Sequence, residues 1–295
     1  MKNTPIFSKP SLKSLLAICF LLCFASCGEH LRNLEQAQNQ FNKGAKLELE
    51  QLFNPSVPPT PEKPRSFYES AYQAAKESLK NKAGLDKDSV GVQLFIIKAM
   101  CEWKLGHFDL VGASIADAEA ANKQLEKKGI ALPRDRVLIK ALPFLVEVGK
   151  IKRELDTLQT EKAQISAKVA RQNFSKLILD PLSHKGRLEL AIKGLITLDT
   201  GSNQELNISL SQSTLAAYKI MSDGYDYLRS CNVNDKTLSD DEKMKLEDAR
   251  LKERIQEYVP AGEKEIQKLE RLLAGQEQAT QIINFWRRIL GISKR

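Results

Sequence analysis

The residues that could perform catalysis are few and scattered along this 295-residue chain. Its histidines are His30, His107 and His184, and none is placed to form a nucleophile–base pair. We expect His30 to be exposed and the other two to lie in a turn or loop. Glycine-rich phosphate loops, GxSxG elbows, HExxH motifs and CxxC pairs are absent from the sequence. The sequence therefore predicts no catalytic residue, metal or cofactor, and indicates a protein that is not an enzyme.

One cysteine has a distinctive setting near the N-terminus. Three lysines are followed by an apolar run over residues 14–24, which is shorter than the roughly 20 residues of a spanning helix. The small residues Ala25 and Ser26 then precede Cys27. This segment resembles the signal peptide and lipobox of bacterial lipoproteins. The resemblance implies that residues 1–26 are removed and that Cys27 becomes the acylated first residue.

The lipoprotein resemblance also implies a location. Two or three acyl chains on Cys27 would hold the protein stably at a membrane. Gly28 occupies the position where an aspartate would favour the inner membrane, so we expect the outer membrane, with the protein facing the periplasm. The alternatives are a secretory signal with a chance cysteine, or an uncleaved anchor.

The charge of the chain does not point to a nucleic-acid partner. The formal net charge is +8, and loss of residues 1–26 leaves 42 basic and 37 acidic residues, a net charge of +5. The two signs are interleaved along most of the predicted helices. An exported protein of this mild charge is expected to have solvated helix faces rather than a nucleic-acid footprint.

Two further cysteines remain in the mature chain. Cys101 lies in an apolar helical run, which predicts a small core residue. Cys231 is far from it in sequence. A disulfide between the two is an open alternative, because the bacterial envelope is oxidising.

Helical periodicity dominates the chain, and no segment shows sustained alternation of apolar and polar residues. The predicted fold class is therefore all-α. The predicted helices cover residues 31–53, 67–82, 90–105, 108–128, 134–149, 150–179, 187–198, 204–229, 240–258, 261–274 and 277–290. Predicted stops are Gly84, Gly106, Gly129, Gly186 and Gly275. Ser202 with Glu205 and Ser239 with Glu242 have the spacing of capping boxes.

One hairpin, over residues 93–119, resembles a tetratricopeptide (TPR) repeat, in which small residues let two antiparallel helices approach. The matching positions are Phe95 with Ala99, Gly106 with Phe108 in the turn, and Ile115 with Ala118. Val111 and Lys123 depart from the family pattern, and no strict 34-residue period is present. The segment from Phe41 to Gly44 echoes the one ending at Gly106, and predicts the end of an earlier helix. The resemblance implies an irregular TPR-like α-solenoid followed by further packed helices.

We predict three regions: a signal peptide at residues 1–26, a TPR-like region at 27–150 with a proline-rich insertion at 54–65, and a C-terminal helical region at 151–295. The last is a separate domain or continues the first. Leu155, Leu158 and Ile165 are near coiled-coil spacing, but polar residues such as Lys162 and Gln172 interrupt it. A long helix packed on its own neighbours is the favoured interpretation. Pro143 would kink or divide the preceding helix.

The last predicted helix has an apolar face with cations nearby. Ile282, Phe285, Trp286 and Ile289 share that face, and Arg287 is close to them. This pattern favours a helix that covers the end of the fold. Docking in a partner groove or lying on an anionic membrane are the alternatives.

These features predict a membrane-anchored envelope lipoprotein that binds protein partners through a helical-repeat surface, without catalysis. Lys98, Glu102 and Asp117 lie on faces of the TPR-like hairpin, but their pattern defines no site. The alternatives are a carrier of a small or apolar ligand, which requires an enclosed apolar pocket, and a structural protein that self-associates through residues 150–179.

Overall fold

A computed structural model of the chain describes residues 12–53, 63–81, 84–85, 87–161, 186–245 and 258–292, with isolated positions at 166, 168–169 and 172. Of residues 12–27, 52–53 and 161 it describes the backbone alone. Within these ranges the regular structure is helical and no strand is formed, which confirms the all-α prediction. The helices are α1 Leu12–Phe53, α2 Pro64–Lys80, α3 Val90–Leu105, α4 Phe108–Lys127, α5 Pro133–Glu161, α6 Arg187–Ile196, α7 Gln204–Asn234, α8 Val259–Leu272 and α9 Ala279–Ile289.

The α3–α4 hairpin has the boundaries that its turn residues predict. Gly106 has a φ of 77°, a left-handed conformation that glycine adopts without a Cβ clash. Its amide donates to the Trp103 carbonyl, and the next amide, of His107, donates to the Glu102 carbonyl at 2.8 Å. These bonds satisfy carbonyls that the end of α3 would leave unpaired. A short connection therefore reverses the chain between α3 and α4.

Some predicted helix ends are wrong. Helix α5 passes through Pro143 and the predicted break at Gly149, so one helix replaces two. Gly44 lies inside α1 rather than at its end. Its missing side chain instead lets Tyr68 approach, since a Cβ there would lie 2.9 Å from the tyrosine ring. Gly186 is the residue before α6, with an ordinary φ of −61°.

The two predicted capping boxes have different outcomes. Ser239 and Glu242 form one: the Ser239 amide donates to the Glu242 carboxylate at 2.8 Å, and the Glu242 amide donates to the serine hydroxyl. The prediction at Ser202 is wrong by one residue. Asn203 caps α7, because its side chain accepts a hydrogen bond from the Leu206 amide. Both residue types accept such bonds, so their sequence order could not choose between them.

Helices α1 to α5 form two layers. Helix α3 lies between α1 and α5 and contacts both, and these three helices make the front layer. Behind them, α2 packs on α1 and α3, and α4 packs on α3 and α5. His30 of α1 contacts Ser78 near the end of α2, so α1 and α2 are antiparallel. The ends of α2 and α4 and the starts of α3 and α5 consequently lie at one end of the stack, which we call the Gly28 end.

Helix α5 connects the two halves of the core. Its residues Ile139, Leu142 and Val146 pack with α3 and α4, whereas Ile151 and Leu155 pack with α6 to α9. Residue 150, where the two predicted regions meet, lies inside this helix. The described side chains of α5 are therefore part of both packed regions.

Helix α9 covers the C-terminal core. Phe285 and Trp286 are buried, and Ile282 and Ile289 are half-buried against the same cluster. Arg287 forms an ion pair with Glu270 of α8 at 3.3 Å. The apolar face of α9 is thus occupied by the chain itself, as expected for a helix that covers the end of the fold.

Candidate functional site

A row of polar side chains crosses the front layer near its Gly28 end. Gln38 of α1 donates to the Oε1 atom of Gln93 on α3 at 3.5 Å. Gln93 in turn donates a side-chain hydrogen bond to Asp135 in the first turn of α5. The row of Gln38, Gln93 and Asp135 therefore joins all three helices of the layer. The two glutamines are half-buried.

Asp135 is the most enclosed member of the row, with 1% of its surface exposed. Its Oδ2 atom is buried without a hydrogen-bond partner among the described residues. Burial raises the pKa of Asp135 to about 6, while the hydrogen bond from Gln93 and the charge of Arg134 act in the opposite direction. A strongly perturbed carboxyl group with an unused acceptor atom is a common mark of a functional position.

The row lies on the stripe of α3 that separates two core clusters. Gln93 and Met100 are seven residues apart and so share one side of the helix, and both are half-buried. Met100 packs against the cluster of α1 and α2 on one side and that of α4 and α5 on the other. This stripe is therefore a partly accessible side of α3.

Sequence reasoning did not identify this row. An aspartate one residue after Pro133-Arg134 is typical of a helix start, where it complements the dipole. Its burial depends on Gln93, on a different helix, and no motif links the two. A single glutamine in a helical pattern predicts only an ordinary surface residue.

The charged residues singled out on the α3–α4 hairpin have a different role. Lys98 contacts the carboxylate of Glu102 at 2.7 Å and the Ser114 hydroxyl at 2.5 Å, which joins α3 to α4. Glu102 is fully buried, and Asp117 is exposed on α4. Lys98 and Glu102 thus belong to the contact between the two helices of the hairpin.

The expectation that His30 is exposed is wrong. It is 4% exposed, and its Nδ1 atom lies 2.8 Å from the Ser78 hydroxyl. His107 lies in the turn before α4, as predicted. His184 lies outside the described residues.

The three cysteines from residue 27 onward fall into two groups. Cys101 is buried in the core as predicted, and burial raises its pKa to about 12, with a further contribution from the charge of Glu102. No disulfide joins Cys101 to Cys231, both of which the structure describes and buries. The backbone of the lipidation candidate Cys27 is part of α1, and the structure does not describe the side chain of this residue.

The described residues contain no group of three or more His, Cys, Asp or Glu side chains that could hold a metal ion. Within the same ranges, no helix combines the length and apolar character needed to cross a bilayer.

A cavity of about 490 Å³ lies beside the last turns of α7. It opens to solvent and is lined by Asp226, Arg229, Ser230, Val233 and Asn234.

Comparisons with known proteins identify no relative of this chain. Models of protein families, the curated proteins and the solved structures each contain no match to this chain.

Proposed function

We propose that the chain is a lipid-anchored scaffold of the bacterial envelope that binds a protein partner through its front layer, without catalysis. The anchor is Cys27, at the outer membrane and facing the periplasm. The row of Gln38, Gln93 and Asp135 carries the binding proposal, because it places polar groups across all three helices of one layer.

The chemistry of the row suits the main chain of a partner. Each half-buried glutamine side chain offers donors and an acceptor, and the buried Asp135 holds Gln93 in position by accepting its hydrogen bond. An extended peptide presents amide and carbonyl groups at regular intervals, which such a row can pair. Stacked helical hairpins, of which the TPR resemblance is an example, commonly bind partners on an extended layer of this kind.

A carrier of an apolar ligand is the less supported alternative. Such a carrier needs an enclosed apolar cavity, whereas the cavity beside α7 is open and includes Asp226 and Arg229 in its lining. Self-association through residues 150–179 has support only from sequence, since much of that segment lies outside the described residues.

The anchor is tested by metabolic labelling with palmitate. We expect label on the wild-type chain and none on Cys27→Ser, because the acylated thiol and amine both belong to that residue in a lipoprotein. Label that persists in Cys27→Ser would contradict the assignment.

Partner binding is tested by photo-cross-linking in intact cells. A photoreactive amino acid replaces Met100, which shares the accessible stripe with Gln93, or Glu119, which is exposed on α4. We expect a discrete cross-linked protein from position 100 and not from position 119. Gln93→Leu should reduce the cross-link from position 100, since it removes the centre of the row.

Two results of the cross-linking experiment would contradict the proposal. Equal cross-linking at positions 100 and 119, or a yield at 100 that Gln93→Leu leaves unchanged, would show that the front layer does not bind the partner. Circular dichroism of the Gln93→Leu protein confirms that the helices are retained.

A further inference from the structure

The connection between α4 and α5 presents apolar side chains to solvent from an ordered backbone. Ile130 is 46% exposed and Leu132 is 41% exposed, while Ala131 between them packs against the core. The Ile130 amide donates to the Leu125 carbonyl at 3.0 Å, and the Asp135 amide donates to the Leu132 carbonyl at 3.1 Å. The loop is therefore held in a conformation that leaves Ile130 and Leu132 partly exposed.

Cations flank these apolar side chains. Lys123 and Lys127 are exposed on the last turns of α4, and Arg134 is exposed at the start of α5. Of the acidic residues in this segment, Asp135 is buried and accepts a hydrogen bond from Gln93, and Glu126 forms an ion pair with Arg136 at 3.0 Å. Exposed apolar groups with surrounding cations are the combination that favours an anionic membrane surface.

The position of the loop agrees with such a contact. The loop lies at the Gly28 end of the stack, because α4 ends there and α5 begins there. The row of Gln38, Gln93 and Asp135 sets a common level across the front layer. From that level α1 rises about 15 Å to Gly28. Leu31, one turn after Gly28, is a third apolar side chain at this end and is 47% exposed.

We propose that the α4–α5 loop rests on an anionic phospholipid bilayer, with Ile130 and Leu132 inserted among the headgroups and the neighbouring cations paired with lipid phosphates. This inference rests on the proposed anchor at Cys27, which would bring the Gly28 end to the membrane. It adds a second, reversible contact that fixes the orientation of the protein body. Because Leu132 is only three residues from Asp135 whereas Gly28 is ten residues from Gln38, the front layer would lean toward the α4–α5 loop when both touch the membrane.

The opposite end of the stack provides a matched control. Leu110 is 43% exposed in the first turn of α4, a similar exposure to that of Leu132. It lies at the far end of the same helix and follows the exposed Asp109. A probe at Leu110 therefore has a similar local exposure without the proximity to Gly28.

The experiment places an environment-sensitive fluorophore on Leu132→Cys or Leu110→Cys in the full lipidated chain. Cys101 and Cys231 are buried, so the dye reacts at the introduced thiol. Each protein is incorporated into phosphatidylcholine vesicles with or without phosphatidylglycerol. We expect the emission at position 132 to shift to the blue, and to be quenched by lipids brominated in the acyl chain, when phosphatidylglycerol is present. The probe at position 110 should remain in water.

Charge reversal tests the electrostatic part. Lys127→Glu with Arg134→Glu should abolish the shift at position 132, because both substitutions repel anionic lipid. Equal shifts with and without phosphatidylglycerol, or an identical response at positions 132 and 110, would overturn the proposal. Flotation of the vesicles separates the two hypotheses: if the chain floats but position 132 stays in water, only this inference fails. If the Cys27-bearing chain does not float, the anchor and the inference both fail.

Discussion

Asp135 is a carboxylic acid enclosed between α3 and α5, so its protonation is coupled to folding. Its pKa rises from 3.8 to about 6 in the folded chain because burial disfavours the charged form. Between these two values the folded chain holds a proton that the unfolded chain has released. The contribution of Asp135 to stability is therefore full below pH 3.8 and is lost as the pH rises through about 6.

Asp135→Asn removes this pH dependence, because an amide does not ionise and can still accept the hydrogen bond from Gln93. We expect the variant to be more stable than the wild type above about pH 7, by about 3 kcal/mol, with the difference disappearing near pH 4. The free energy of unfolding in urea, measured across this range, tests the prediction. Asp117→Asn, on an exposed face of α4, is the control and should change little. A constant difference between Asp135→Asn and the wild type at all pH values would contradict it.

Individual side chains show where sequence patterns stop being informative. Cys101 could be assigned to the core because apolar residues surround it on its own helix. His30 could not, because its partner Ser78 lies 48 residues away. Asp135 was missed for the same reason. The environment of each polar residue is set by another helix, and the sequence holds no local record of that contact.

At the scale of single helices, boundaries were predictable where a residue type dictates the backbone. Gly106 ends α3 because its positive φ suits glycine, and α3 has the predicted bounds. Pro143 and Gly149 suggested a break in α5, yet the helix continues because its faces pack along the whole length. Tertiary packing outweighs the local preference of these two residues.

Gly149 is required for a close approach between α3 and α5. A Cβ at this position would lie 2.6 Å from the indole nitrogen of Trp103. We expect Gly149→Ala to destabilise the chain by about 1–3 kcal/mol, because the ring must move to make room. Gly112→Ala is the matched control: nothing lies within 4 Å of its added Cβ, so the better helix propensity of alanine should stabilise by about 0.5–1 kcal/mol. Urea denaturation of both variants measures the two effects, and a Gly149→Ala protein as stable as the control would contradict the close contact.

Arg187 joins α6 to two turns of α5. Its Nε atom contacts Glu147 at 2.7 Å, and its terminal nitrogens contact both oxygens of Glu154. Arg187→Lys keeps the charge but loses the planar fork, so we expect a loss of about 1 kcal/mol in stability. Lys152→Ala, which removes the exposed pair with Asp156, should cost at most about 0.5 kcal/mol. Equal losses in the two variants would show that the fork has no special effect.

At the scale of the whole molecule, α5 supplies buried residues to the core on each side of it. The predicted division at residue 150 came from the change in sequence pattern there, and pattern alone could not show that both sides share a helix. The all-α class followed from periodicity, whereas the layer order depends on contacts such as Glu48 with Lys104, which are distant in sequence.

The two tryptophans report on the two packed regions, since Trp103 lies against α5 from the N-terminal side and Trp286 lies in the C-terminal core. The Trp286→Phe protein reports on Trp103 alone, and the Trp103→Phe protein reports on Trp286 alone. In each protein we expect the change in fluorescence to coincide with the loss of helical circular dichroism, and both transitions to occur at the same urea concentration. Ile151→Val on α5 should lower both midpoints together, because it reduces the free energy of unfolding by about 0.5–1.5 kcal/mol. Separate transitions would show that the regions unfold independently.

The unbroken course of α1 limits how far the body of the protein can move relative to residue 27. This helix passes Gly28 and enters the core at Leu34 and Ala37 without an intervening coil. A flexible tether of 20 residues would let a body wander by about 25 Å. With the proposed anchor at Cys27, the body would have no such slack and would move with the lateral diffusion of the lipid. Under that proposal a partner would be met at the membrane surface, in two dimensions.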